Sequence, residues 1–352
     1  MQLQHIIPTS VYEKAQEIGI TLDPDQLHIG GERSLHSPHK LVLTGYHNVI
    51  GKKIIFKYAD TPSGQRELRL EYRAADQLRD CAFALEDILL PNILHFEEKA
   101  AYSLLITQFI EQPKIFTAFT LKEQFFMAVQ ALENQESFHA TTLEHHQYTR
   151  RHFVHYSPAD YLTSLQTMIA AVEKIDPKQA QNLEPSWSFL SANLSLLKTY
   201  DGYLMHTDFV PHNFRINDNK IYLLDTVSFK IGSKYESWAR FINFMEIHNP
   251  LLVTYLLNYV RDDRGLVDYQ ALRLMRIYKS VFLVHFYATM LDQTEGDLHQ
   301  LTRIRLGLWT TITAGILSDT ALPADIREQY YQHRDQLRSD QEKKRQSQFT
   351  WL

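Results

Sequence analysis

The period of the hydrophobic positions changes along the chain, and the change divides it into two parts. In the first part, short runs rich in β-branched residues are separated by glycine and proline, which is typical of strands joined by turns. Apolar residues recur at helical spacing over Val11–Gly19 and Glu67–Leu78, so we predict a short helix and one main helix there. The predicted strands are Gln26–Ile29, Lys40–Leu43, Lys53–Tyr58, Ile93–Glu97 and Tyr102–Ile106.

After Phe109–Pro113 the hydrophobic period becomes helical. One β-like island, Phe214–Leu224, interrupts the helices and is typical of a hairpin. The pattern therefore predicts an α+β protein, with a small sheet followed by a mostly helical part. The predicted helices are Leu121–His139, Ala159–Val172, Pro185–Tyr200, Tyr235–Ile247, Leu251–Val260, Tyr269–Leu291, His299–Ile316 and Ala324–Arg345.

Composition excludes some classes of function. The 352 residues exceed the usual size of one hydrophobic core, which favours two lobes. The net charge of −5 argues against nucleic acid as a partner and weakly favours a cationic or neutral small substrate. The single cysteine, Cys81, excludes an intramolecular disulfide and suits a reducing cytoplasm. Because Met1–Ser10 lacks a signal pattern and Val281–Leu291 is too short to span a membrane, we expect a soluble cytoplasmic protein.

The candidate chemistry lies in the segment that ends at Asp225. It contains the pattern His-x-Asp-x-x-x-x-Asn, formed by His206, Asp208 and Asn213, before the hairpin. Phosphoryl transfer needs positioning and charge neutralisation rather than covalent chemistry, and Asp208 suits the carboxylate that orients a hydroxyl and accepts its proton. Asn213 and Asp225 offer the hard oxygen ligands that Mg²⁺ prefers. We expect the hairpin to return Asp225 to Asn213, with His206 behind the loop, orienting its backbone.

These residues resemble the catalytic loop of the aminoglycoside phosphotransferase and choline kinase superfamily, the small-molecule branch of the protein-kinase-like fold. That branch shows an apolar run, His-Gly-Asp, a short loop, Asn, a hairpin and Ile-Asp; here Thr207 replaces the glycine. The resemblance covers roughly Leu27 to Ile316. It implies a bilobal fold, with a small antiparallel-sheet N-lobe over residues 1–107 and a larger helical C-lobe over residues 108–352.

The resemblance also implies roles for residues outside the loop. Lys57 resembles the lysine that holds the α- and β-phosphates, and Glu71 resembles its partner on the main helix. Gln108 and Ile110 fall in a segment that resembles the hinge between lobes, where backbone groups meet the adenine.

The phosphate-binding loop is poorly marked. Gly30–Ser34 is the first candidate, with Ser34 as a phosphate contact, and Thr44–Asn48 is the second. Neither has the Gly-x-Gly-x-x-Gly pattern. A Gly-Asp pair that is common downstream in the family is replaced by Gly232-Ser233.

The sequence therefore predicts a Mg²⁺-dependent kinase that transfers the γ-phosphate of ATP, or of GTP, to a hydroxyl of a small molecule. Nucleic acid and membrane are not expected partners, and the acceptor and the oligomeric state stay open. The alternative is a pseudokinase or nucleotide-binding scaffold, which the weak phosphate loop favours. Absence of Asp-Phe-Gly and Ala-Pro-Glu argues against a protein-directed kinase, and no Gly-x-Ser-x-Gly pattern supports a hydrolase.

Simpler roles compete with the functional ones. Asp208 and Asp225 also suit caps and turns, and Lys57 suits a sheet edge. We interpret His212 as filling space in the loop, and a crowded set of histidines as surface residues rather than a metal site: His139, His145, His146, His152 and His155. Four aromatic residues at helical spacing are interpreted as core, although an aromatic face could also hold a cationic acceptor: Tyr235, Trp238, Phe241 and Phe244.

Overall fold

In this computed structural model, the structure describes residues 7–26, 39–80, 88–137, 143–218, 220–340 and 342–343. Several predictions of the sequence lie outside these ranges. They are the strand Gln26–Ile29 beyond its first residue, the phosphate-loop candidate Gly30–Ser34 with Ser34, Cys81, and the end of the helix predicted to reach His139.

The N-terminal part forms an antiparallel sheet of five strands in the order β1-β2-β3-β6-β5. Side chains alternate between the two faces, so Ile54 and Phe56 enter a core with the first helix, whereas Ile55 and Lys57 face a cleft. The strands are β1 Ile20–Leu22, β2 Leu41–His47, β3 Lys52–Ala59, β5 Ile93–Glu98 and β6 Ser103–Gln108.

Two helices accompany this sheet: α1, Thr9–Glu17, and α2, Pro62–Asp80. The second begins earlier than the sequence predicts, because Pro62 suits the first turn of a helix. A Cβ on Gly64 would lie 2.0 Å from the carbonyl oxygen of His39. Only a glycine therefore lets the first turn of α2 pack against the backbone that leads into β2.

The C-terminal part is built from helices around one large apolar core. The 25-residue helix α10 is central and packs against α5, α8 and α11. The helices are α3 Leu121–Ser137, α4 Leu143–His152, α5 Pro158–Ile175, α6 Pro177–Ala192, α7 Leu194–Thr199, α8 Glu236–Glu246, α9 Pro250–Tyr259, α10 Leu266–Met290, α11 Gly296–Ser318 and α12 Ala324–Leu337. Among the described helices, none combines the length and apolar character needed to cross a membrane.

The short strands of the C-terminal part come from the segment predicted to carry chemistry. They pair as β7 with β10, and as a β8–β9 hairpin whose second strand also pairs in parallel with β4. The hairpin confirms the prediction from the sequence. These strands are β4 Ile88–Leu89, β7 Tyr203–His206, β8 Phe214–Asn217, β9 Lys220–Leu223 and β10 Phe229–Gly232.

The helix predicted over Pro185–Tyr200 is confirmed as helical, but its predicted start and its continuity are wrong. The region holds two helices, α6 and α7, and Pro185 lies inside α6. The helix begins upstream because the side chain of Asp176 accepts a hydrogen bond from the backbone N–H of Gln179, and Pro177 occupies the first position. Helix α4 and strands β1, β4, β7 and β10 were not predicted, because their hydrophobic patterns are too short or too polar.

Candidate active site

Two hydrogen-bonded connections bring the two ends of the predicted catalytic segment together. Strand β7 ends at His206, and Asp208 and Asn213 lie on the loop that follows. After the β8–β9 hairpin, the N–H of Leu224 donates to the carbonyl oxygen of Asn213 over 2.8 Å. Asp225 is the next residue, so it emerges beside Asn213.

His206 is fully buried behind this loop. Its Nε2 lies 2.8 Å from the carbonyl oxygen of Leu224, and donates to it. The hydroxyl of Ser237, on α8, donates to the carbonyl oxygen of His206 over 2.8 Å. His206 therefore joins the start of the catalytic loop to the residue before Asp225.

Asp208 is held by two donors at the floor of the cleft. Arg240 Nε donates to Oδ1 over 2.7 Å, and Asn213 Nδ2 donates to Oδ2 over 2.8 Å. Burial opposes the charged form, but the cations of Arg240 and Lys279 outweigh it, so the pKa of the Asp208 carboxyl is lowered. The carboxylate is 43% exposed and is therefore open to a molecule in the cleft.

Lys57 and Glu71 form an ion pair between β3 and α2. The hydroxyl of Thr226 donates to the carbonyl oxygen of Glu71 over 2.8 Å, which ties α2 to the residue after Asp225. The helix is therefore docked on the catalytic segment, and it holds Lys57 towards the same cleft.

Lys40, just before β2, was not predicted from the sequence as a site residue. Its ammonium lies 2.5 Å from Glu67, 3.9 Å from Glu71 and 4.0 Å from Asp225. Desolvation opposes the charge of Lys40, but the three carboxylates outweigh it and raise its pKa. The close approach of α2 at Gly64 places this lysine among the three acids.

Asn213 and Asp225 offer an amide oxygen and a carboxylate, which are donors that fit Mg²⁺. Asn213 directs its nitrogen at Asp208, so its oxygen is turned away from that residue. Asp225 adopts the left-handed conformation, with φ of 56°, and Ser228 Oγ donates to its Oδ2 over 3.0 Å. The backbone fold of this turn thus fixes the carboxylate.

Among the described side chains, no group of three or more His, Cys, Asp and Glu residues is arranged to hold a metal. Of the crowded histidines, His152 contacts Gln77 over 3.0 Å and His155 contacts Asp201 over 3.0 Å. The side chains of the others, His139, His145 and His146, lie outside the described part of the chain.

Lys40, Lys57, Asp208 and Asp225 open on one cleft, with a cavity volume of about 1460 Å³. Near the sheet, the cleft is lined by apolar side chains from both parts of the chain, among them Val42, Ile55 and Leu223. The predicted site residues that line the cleft are Lys57, Glu71, Gln108, Ile110, Asp208, Asn213 and Asp225.

Two predicted site elements do not line this cleft. His206 lies behind the loop, and Thr44–Asn48, the second phosphate-loop candidate, belongs to β2 and the turn after it. There the hydroxyl of Thr44 donates to Asp23 over 2.5 Å, away from Lys57. Of the four aromatic residues interpreted as core, Tyr235, Trp238 and Phe241 are fully buried, whereas Phe244 lines the cleft.

No protein-family model and no curated protein sequence matches the chain. Solved structures do match the chain. An ADP-bound aminoglycoside phosphotransferase, APH(2'')-Ib, aligns with a TM-score of 0.57 and 14% identity, over 88% of this chain and 99% of its own. A GDP complex of aminoglycoside 2'-phosphotransferase-IIIa aligns with a TM-score of 0.61 and 12% identity, over 86% of this chain and 96% of its own.

A third solved structure, the macrolide 2'-phosphotransferase MphH from Brachybacterium faecium, has a TM-score of 0.54 and 13% identity. It aligns over 85% of this chain and 97% of its own. The order of strands, helices and hairpin described above agrees with this likeness. The chain therefore has the bilobal, protein-kinase-like fold of the aminoglycoside and macrolide phosphotransferases.

Proposed function

We propose that the protein is a kinase that transfers the γ-phosphoryl group of ATP or GTP to a hydroxyl of a small molecule. The observation that carries the proposal is the convergence of Asp208, Asn213, Asp225 and the Lys57–Glu71 pair on one cleft. A carboxylate for the hydroxyl, two oxygen donors for Mg²⁺ and a lysine for phosphate are the parts that phosphoryl transfer requires.

Each side chain has a defined role. Lys57 binds the α- and β-phosphates, and Glu71 keeps its ammonium in place. Asn213 and Asp225 hold Mg²⁺, which neutralises the charge of the phosphates when it is bound. Backbone groups at Gln108 and Ile110 meet the base of the nucleotide, between apolar walls. Lys40 is a second cation at the phosphate end.

Asp208 orients the acceptor hydroxyl in line with the γ-phosphorus. The bond between that phosphorus and the β–γ bridging oxygen breaks, and a bond from phosphorus to the acceptor oxygen forms. The hydroxyl proton passes to Asp208 and then to water, and the nucleoside diphosphate leaves. A carboxylate with a lowered pKa suits this role, because in a loose transition state the proton leaves late and orientation matters more than basicity.

The structural neighbours support a nucleotide but not a choice between bases. They were solved with ADP, GDP and, in a streptomycin complex of APH(2'')-IIa, ATP. The neighbours are aminoglycoside and macrolide phosphotransferases. At identities of 12–15%, these neighbours do not specify the acceptor of this chain.

Thermal unfolding with and without Mg²⁺ and nucleotide tests the nucleotide site. Nucleotide at a hundred times its dissociation constant adds about 2.7 kcal/mol. At about 2.1 cal/mol/K per residue, that raises the Tm of a chain this long by about 4 °C. We expect the Mg²⁺-dependent shift in the wild type and in Asp218→Asn, an exposed turn residue, but not in Asp225→Asn.

Asp208→Asn then separates a kinase from a scaffold. This variant should keep the rise in Tm with Mg²⁺ and nucleotide, and its rate of phosphate transfer should fall at least about a hundredfold. Positioned acid–base groups contribute factors of about 10²–10⁴ to the rate. A wild type that binds Mg²⁺ and nucleotide but transfers phosphate to no acceptor in a broad panel would identify a nucleotide-binding scaffold. Loss of the shift in both Asp218→Asn and Asp225→Asn would contradict the assigned metal ligand.

A further inference from the structure

Beyond Asp208, the cleft continues among the helices of the C-terminal part, and we call this portion the acceptor region. It consists of the cleft-lining residues of α5, α8, α10, α11 and α12, and of the segments that directly follow α8 and α12. Among the described residues, the acidic side chains of this region are Asp160 and Glu236. Its basic side chains are more numerous: Arg240, His248, Lys279, His285, Arg305, Arg334 and Arg338.

Both acidic side chains of the acceptor region are already engaged. Glu236 is buried and accepts hydrogen bonds from Lys279, over 3.1 Å, and from the hydroxyl of Tyr161. Asp160 accepts from the N–H of Ser157 over 2.8 Å, as part of the capping box that begins α5. Neither carboxylate is therefore arranged to receive an amino group of an acceptor.

A row of side chains leads from Asp208 into this region along one face of α8. Arg240 and Phe244 are spaced four residues apart on α8, so they share that face, and His248 follows in the turn after the helix. Arg240 contacts Asp208 over 2.7 Å, and the ring of Phe244 stacks on His248 with centroids 4.3 Å apart.

Helix α12 closes the far end of the row. Arg327 Nε donates to the carbonyl oxygen of Glu246 over 3.0 Å, and the hydroxyl of Tyr331 donates to the carbonyl oxygen of Ile247. These bonds fix α12 across the end of α8. They bring Arg334, which is buried, and Arg338, which is half-buried, to the part of the cleft that His248 lines.

The side chains that act electrostatically on His248 are basic. Its pKa is held well below the usual range, first by burial and then by the positive charges of His212, Arg334 and Arg338. An anion at this end of the cleft would be attracted by the same charges that keep His248 neutral. The negative net charge of the chain therefore does not describe this part of its surface.

We propose that the acceptor carries a phosphate or carboxylate group, which binds at His248, Arg334 and Arg338 while its hydroxyl lies at Asp208. This inference rests on the proposed kinase function and names its substrate class. Arg334 Nε donates to the carboxylate of Asp335 over 2.9 Å, so the anion would bind through other N–H donors of the guanidinium groups. Guanidinium groups with little exposure to water bind such anions strongly. A polyamine such as an aminoglycoside would instead meet like charge, which costs several kcal/mol in close contact.

Calorimetric titration of inorganic phosphate tests the anion site without knowledge of the acceptor. The nucleotide site is first filled with Mg²⁺ and a non-hydrolysable ATP analogue. Titration of acetate in parallel distinguishes a phosphate site from a carboxylate site. We expect binding of one of the two anions to the wild type, weakened by added KCl because charge drives it.

Substitutions assign the site. Arg334→Gln and Arg338→Gln should each weaken anion binding at least tenfold, and Arg334→Lys should restore part of it because the charge returns. Arg303→Gln, at an exposed position of α11, should leave it unchanged. Arg338→Gln, which is less buried than Arg334, is the decisive variant if Arg334→Gln unfolds.

Three results would overturn the inference, and the first two are no measurable binding of either anion to the wild type and equal anion affinity in wild type and Arg338→Gln. Transfer of phosphate to aminoglycosides, at rates above those for anionic acceptors, would do so as well. The change in Tm with Mg²⁺ and nucleotide tests the kinase proposal separately. That change depends on Asp225 and does not involve His248, Arg334 or Arg338.

Discussion

Replacing Lys40 by Met removes a cation from among Glu67, Glu71 and Asp225. Lys40 is 6% exposed, and its nearest partner, Glu67, lies 2.5 Å away and is 32% exposed. Loss of one partner of a buried ion pair costs about 3–5 kcal/mol, because a buried charge is left uncompensated. Since Glu71 keeps Lys57 as a partner and Glu67 reaches water, we expect the lower end, about 3 kcal/mol.

The measurement is thermal unfolding without nucleotide, at low salt and pH 7.5. With about 2.1 cal/mol/K of unfolding entropy per residue, a loss of about 3 kcal/mol lowers the Tm by about 4 °C. The pKa of Lys40 is raised in the folded protein, so its stabilisation is complete below the unfolded pKa and declines as pH rises through the folded one. The difference between wild type and variant should therefore be the same at pH 7.5 and pH 9.

Lys52→Met is the matched control. Lys52 lies exposed at the start of β3, where removal of a charge should change the free energy of unfolding by less than about 0.5 kcal/mol. If Lys40→Met and Lys52→Met unfold at the same temperature as the wild type, the positive charge of Lys40 does not stabilise the carboxylates around it. The reasoning from burial and distance would then be refuted.

Two further predictions concern residues that position the site. Replacing Arg240 by Gln should raise the pKa of the Asp208 carboxyl, because less positive charge then opposes the effect of desolvation. The acid limb of the pH–activity profile should therefore move to higher pH. An acid limb at the same pH as in the wild type would contradict this. Gly64→Ala should lower stability by about 1–3 kcal/mol, because its Cβ would meet the carbonyl oxygen of His39. Gly307→Ala, where no atom lies within 4 Å, should instead stabilise the protein by up to about 1 kcal/mol; equal effects on Tm would refute the steric argument.

The catalytic segment was predictable because its parts are close in sequence. A loop that contains Asn213 and then a hairpin join Asp208 to Asp225, so the short connection limits where these three polar residues can lie. Lys57 and Glu71 were also within reach of the sequence, since a strand and a following helix carry them. Their roles stay predictions, although the structure places them in one cleft.

Residues that act across long stretches of chain could not be predicted from local patterns. Lys40 precedes a strand and Arg240 lies within a helix, and neither position has a periodicity that marks a partner. The basic side chains at the far end of the cleft come from separate helices, so the net charge of −5 did not indicate that they lie together. At α6, two possible starts competed, and the cap formed by Asp176 decided between them.

The hydrogen bond from Thr226 to Glu71 bears on how such an enzyme would be switched on. In protein kinases, activation commonly depends on moving the corresponding helix into place, so that its acid meets the phosphate-binding lysine. Here α2 is already joined to Thr226, the residue after Asp225, through the backbone carbonyl of Glu71, and the Glu71 side chain already pairs with Lys57. Without a displaced helix to reset, the supply of acceptor, rather than a conformational signal, would govern how fast the protein works.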